Sequence, residues 1–173
     1  MKKRLLTRLV LLLGLAALLS GCGASKMTEE DLLASIPTLT LWIGDQSTSI
    51  PTYGYSWTYV VGDEGQSVIA DTAHPLQVVE DLTRVSAPAG STVEMDFSLL
   101  PDSVTITYWT ADQAGSAPPD TEGETLESFF SNGQFLFTAP ERDQDLVVMV
   151  RGKWTGYQDV SGSVSYAFVL PQN

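Results

Sequence analysis

From Pro37 onward the chain alternates polar and apolar residues with a period of two, and this constrains the fold more than any other feature. In TLTLWI, Leu39, Leu41 and Ile43 share one side and Thr38, Thr40 and Trp42 the other. SWTYVV, TVEMDF, SVTITYW and SVSYAFVL repeat the arrangement, starting at Ser56, Thr92, Ser103 and Ser163. Successive strand side chains point to opposite faces, so each run presents one oily and one wet face. That alternation marks antiparallel sheet with one side solvated.

Turn residues separate the runs: Gly62-Asp63-Glu64-Gly65, Pro88-Ala89-Gly90, Pro101-Asp102, Asn132-Gly133 and Pro140-Glu141. Asn132-Gly133 lies between ETLESFF and QFLFT, where a two-residue hairpin needs two positive-φ positions. Leu146–Trp154 and Gly162–Leu170 are expected to form a second hairpin, closed by a loop through Gly156 and Tyr157. LQVVEDLTR, residues 76–84, has ambiguous spacing and is read as strand for its valine pair. The expectation is an all-β, immunoglobulin-like antiparallel sandwich of about nine short strands, with a closed barrel as the alternative. The cysteine pair of antibody domains is absent, because Cys22 is the only cysteine among 173 residues.

Ahead of this region lies a different kind of sequence. Lys2, Lys3, Arg4 and Arg8 precede an uncharged apolar run, Leu9 to Leu19. A basic start and a short apolar stretch have the layout of an export signal, and the run is too short to span a bilayer. Leu19-Ser20-Gly21-Cys22 resembles the lipobox of bacterial lipoproteins. The resemblance implies cleavage before Cys22, diacylglycerol on its thiol, and an anchored protein outside the cytoplasm. It would also explain an unpaired cysteine in an exported chain. Two or three buried acyl chains hold a protein stably on a membrane. "GDQST", "YGYSW", "PDSVTITYW" and "SYAFVL" are similar to stretches in small lipoproteins of Gram-positive bacteria. The expected organisation is a signal peptide over 1–21, a lipidated tether over 22–36 and a sandwich domain over 37–173. Within the tether, Thr28 and Asp31 have capping-box spacing.

All 21 acidic residues follow the signal, whereas four of the nine basic residues lie within it. So acidic a body repels phosphate backbones and anionic head groups, which argues against nucleic acid as a partner. The expected partners are membrane lipid, through Cys22, and a protein or glycan of the cell envelope.

No catalytic set is visible. His74 is the only histidine and precedes Pro75 in a turn-like stretch. There is no Gly-x-Ser-x-Gly elbow, and a histidine-rich zinc site lacks ligands. Asp63/Glu64 and Asp143/Asp145 are the candidate calcium ligands, but neither pair matches the EF-hand pattern. The expectation is no enzyme, no metal and no cofactor. The alternatives are an envelope polysaccharide hydrolase using two carboxylates, or a structural or sensor module.

Aromatic residues carry the remaining signal. Trp57 shares parity with Tyr59 and Val61 and is expected in the core. Trp42 and Trp109 share parity with threonines on faces expected to be wet; they are either exposed for stacking or covered by a loop. Trp154 and Tyr157 flank a glycine, and Tyr53 and Tyr55 precede a strand. These six are the candidate binding residues, and their spatial clustering is the test. Ala111–Glu124 lacks an apolar pattern, and its composition points to a mobile loop.

Overall fold

The computed structural model describes residues 28–172 apart from 62, 63, 117, 119 and 158. The expected signal peptide and Cys22 lie outside the described residues. The chain divides into two units, Met1–Asp31 and Leu32–Asn173. In the first, the Thr28 amide and hydroxyl donate to Asp31 Oδ2 at 2.9 and 2.7 Å. The Asp31 amide donates back to Thr28 Oγ1 at 3.1 Å, which completes the capping of the short helix α1, Glu29–Ala34. Among the described residues no helix is long and apolar enough to cross a membrane.

The regular structure of the second unit is mainly strand. Its elements are β1 (Leu39–Ile43), β2 (Gln46–Ile50), β3 (Thr52–Val61), β4 (Glu64–Ala70), β5 (Thr83–Arg84), β6 (Thr92–Phe97), β7 (Ser103–Thr110), β8 (Glu124–Leu126), β9 (Ser128–Ser131), β10 (Gln134–Thr138), β11 (Leu146–Tyr157) and β12 (Val160–Leu170). One sheet, A, has the order β2-β1-β6-β10-β9. The other, B, has the order β4-β3-β12-β11-β7-β8, with β5 added in parallel at Phe168 and Val169. The two sheets form a sandwich and do not close into a barrel.

The core is set by alternation. Leu39, Leu41, Val93, Met95 and Phe97 point inward from sheet A, and Trp57, Ile106, Val148, Val150, Trp154, Val164 and Tyr166 from sheet B, all buried. Phe97 bridges the layers, its ring edge-on to Trp154 at 6.2 Å and to Tyr166 at 5.9 Å. Trp57 and Trp154 meet edge to face at 5.3 Å across Gly162, which pairs with both. A Cβ on Gly162 would lie 2.1 Å from Ser56 O and 3.0 Å from Trp57 Cα. The missing side chain therefore lets two indoles meet over one strand. The Trp154 ring lies against Gly152, where a Cβ would come within 2.5 Å of Cη2.

Several expectations are corrected. Twelve strands replace about nine, because polar edge strands such as β2 and β4 escape a reading based on alternation. Residues 76–84 are mostly two 3-10 turns, Pro75–Gln77 and Val79–Asp81, with strand only at Thr83–Arg84. ETLESFF is divided at Glu127: β8 pairs with β7 in sheet B, and β9 with β10 in sheet A. The β11–β12 hairpin is longer than expected, with Tyr157 opposite Val160 and a register shift between Thr155 and Tyr157. The Asn132-Gly133 turn is as expected, with φ of 51° and 83° between paired Ser131 and Gln134.

Candidate functional site

The six candidate aromatics do not share a surface. Trp154 is buried in the core, where its Nε1 donates to Leu99 O at 3.2 Å. The expectation of Trp154 as a binding residue beside a loop is thereby corrected: the strand expected over 146–154 runs on through Gly156, whose φ of 112° absorbs the irregularity, and Trp154 points inward. Tyr157 ends β11, and its side chain lies outside the described residues.

Trp109 keeps its expected parity on the outer side of sheet B, yet it is only 5% exposed. Leu76 and Val147 pack with it in a satellite core, joined by Val79, Leu82 and Met149. His74 stands edge-on to its ring at 4.8 Å. Trp109 Nε1 donates to Thr121 O at 3.1 Å, so the 111–124 loop is fastened over the indole. A Cβ on Gly123 would meet Trp109 and Thr107 at 2.5–2.8 Å, which shows how closely that loop lies. The Thr110–Gln113 capping box closes the loop's first turn. Thr110–Gln113, Thr121 and Gly123 thus make defined contacts within the segment expected to be mobile.

Trp42 is 38% exposed on the outer face of sheet A. Glu94, Leu136 and exposed Phe129 stand in line with it across β6, β10 and β9.

Tyr53 and Tyr55 do come together, at a groove on the outer face of sheet B. Tyr53 is the extra residue of a bulge, since Gly54 pairs with Ser165 while Thr52 pairs with Tyr166. Bulges re-aim side chains. The Tyr53 hydroxyl donates to Ala73 O at 2.5 Å, and burial pushes its pKa upward, so it stays a neutral donor. Tyr55 lines the groove although its register opposite Val164 gives it the parity of the core side.

The groove floor follows from register, because directly opposed residues share a face. Ile69, Ser56, Ser163, Lys153 and Ser103 form one line across β4, β3, β12, β11 and β7. Gly54, Ser165, Arg151 and Thr105 form the next, and Ser67, Thr58, Ser161 and Thr155 flank them. The strands are thus carpeted with hydroxyls, and two cations rise from β11. Arg151 NH2 donates to Ser163 Oγ at 3.0 Å, which leans the guanidinium over β12. Towards the other end of the sheet the same face is closed by the Leu76–Trp109 cluster.

Two adjoining recesses lie along this floor, of about 430 and about 600 Å³. Both are lined by Ser56, Arg151 and Ser163. Their sizes fall in the range of small-ligand sites. His74 lines the first, but its Nδ1 accepts from the Leu76 amide at 3.3 Å and caps a 3-10 turn. This is the turn role expected for it. Asp71 is the one acidic residue among those lining either recess.

Among the described residues no three His, Cys, Asp or Glu side chains gather as metal ligands. Asp145, weighed above for calcium, pairs with Arg84 and accepts from the Gln172 amide at 2.7 Å. Those bonds, the Gln172 one foremost, hold its carboxyl below the ordinary aspartate range.

The hydroxyl floor was missed in the sequence, although its signal was there. Arg151 and Lys153 share parity, and Ser161, Ser163 and Ser165 alternate along one strand. Small hydroxyl residues form no motif along one strand, and the face they make exists only across four paired strands. No family model matches the chain, and no curated protein or solved structure matches it either.

Proposed function

We propose that the protein is an exported, lipid-anchored binding module that holds an envelope saccharide in the groove on sheet B. The observation that carries the reading is the floor itself, where serine and threonine hydroxyls from β3, β7, β11 and β12 line two joined recesses. A hydroxyl both donates and accepts, so such a floor matches the hydroxyls of a sugar. A peptide adding as a strand needs an unpaired sheet edge. The groove instead lies over strands paired on both sides, which favours a saccharide over an extended peptide. The export-signal layout of residues 1–21 and the lipobox-like Leu19-Ser20-Gly21-Cys22 support a reading of this binding at the envelope.

Hydrolysis has less support. Glycosidases need two carboxyls about 5 to 9.5 Å apart. Asp71 is the one carboxylate among the residues lining these recesses.

A glycan array probed with the full chain tests the reading. Binding is expected for wild type and lost in Ser163→Trp, which fills the shared part of the groove. A saccharide bound equally by both proteins would place the site elsewhere. Trp154→Ala is unsuitable for such a test, because Trp154 belongs to the core.

A further inference from the structure

We infer that the saccharide held in this groove is negatively charged, its anionic groups received by Arg151 and Lys153; this rests on the saccharide reading above. The chain beyond the signal has five basic residues against 21 acidic ones. Lys26 lies outside the described residues. Arg84 is paired with Asp145, the only ion pair among the described residues. Arg142 is half-buried and donates to Pro171 O, Pro140 O and Ala87 O at 2.7, 3.0 and 2.6 Å. Those two cations are engaged by the protein's own groups. Arg151 and Lys153 have no carboxylate within ion-pair distance among the described residues, are exposed, and stand on one face of one strand.

Their spacing adds to the argument. Residues two apart on a strand are about 7 Å apart. Two cations so placed can receive two charges of one oligomer, or both flank a single anion. Arg151 is steered towards β12 by Ser163, and the guanidinium fork keeps donors for a carboxylate or sulfate. Asp71 lines the His74 end of the groove and not the recess that Lys153 lines. The acidity of the whole molecule opposes anions at long range, but charges beyond about 8 Å are largely screened at physiological salt. Within the groove Arg151 and Lys153 are the near cations, and the one carboxylate beside the second recess, Asp102, is held by the Thr155 amide and hydroxyl at 2.6 and 2.7 Å.

Isothermal titration of the full chain, in a detergent without a sugar head group, tests this. The probes are oligogalacturonate, dextran sulfate oligomers and neutral dextran oligomers. At least one charged oligomer is expected to bind about tenfold or more tightly than neutral dextran. Arg151→Gln and Lys153→Gln are each expected to weaken that binding about tenfold, the scale of one charge-assisted hydrogen bond, at an unchanged melting temperature. Preference for uronate or for sulfate then names the anion. Equal binding of neutral and charged oligomers, or indifference to both substitutions, overturns the inference while leaving a saccharide groove. No binding of any of the three at millimolar concentration overturns both readings.

Discussion

At the scale of single residues, two glycines separate space from strain. Gly162 lies between Trp57 and Trp154 with a φ of 149°, and a Cβ there would collide with Ser56 O. Gly156 has a φ of 112° but nothing within 4 Å of its virtual Cβ. Gly162→Ala is expected to destabilise by about 3 kcal/mol or more, since backbone must shift under two packed indoles. Gly156→Ala carries strain alone and should cost about 1–2 kcal/mol. Urea unfolding of both variants measures the difference; equal losses would contradict the packing described at Gly162.

Asp145 makes a pH prediction. Its carboxyl pKa is lowered first by the Gln172 amide, then by Arg84. A depressed folded-state pKa contributes stability that is present above the unfolded value, about 3.9, and is lost as pH falls through the folded value. Asp145→Asn should therefore flatten the fall in stability below about pH 4 relative to wild type, measured as thermal midpoints across acid pH.

At the scale of elements, the 111–124 loop and the 74–82 segment act as a lid on one end of sheet B. Trp109 is the post to which both are fixed, through Thr121 O and through His74 and Leu76. Trp109→Ala is expected to cost about 3–5 kcal/mol, the range for removing a large buried aromatic. Trp109→Phe keeps most of the packing and loses the Thr121 bond, so cleavage within 111–124 should quicken under limited proteolysis with little change in midpoint. Unchanged cleavage would show that the indole does not fasten the loop.

This element also shows what the sequence could reveal. The parity of Trp109 was legible, and so were the central strands, because alternation is imposed by burial on one side. What covers an outer face was not legible, since two segments distant in sequence fold back onto it. The turn at Asn132-Gly133 was readable because its chemistry is local. Edge strands β2 and β4 were not, because they have solvent on an open side and do not need strict alternation. In the groove, Tyr53 and Tyr55 stand out by ring type alone, whereas Arg151, Lys153 and the serines make a site only through the register of four strands.

At the scale of the whole molecule, the sandwich has two different outer faces. Sheet A shows exposed Trp42 and Phe129 in one line, and sheet B shows hydroxyls and two cations. Attachment through Cys22 would present both to the envelope. Cys22→Ala is expected to move the protein from the membrane to the soluble fraction, or to leave the signal uncleaved; unchanged membrane association would contradict the anchor.

Titrating the full chain with the saccharide selected on the array, once with Ser163→Trp and once with Trp42→Ser plus Phe129→Ser, tests the assignment of binding to sheet B. The account predicts that the first variant loses binding and the second retains the wild-type affinity. Loss in the second with retention in the first would contradict it and move the site to the aromatic face of sheet A.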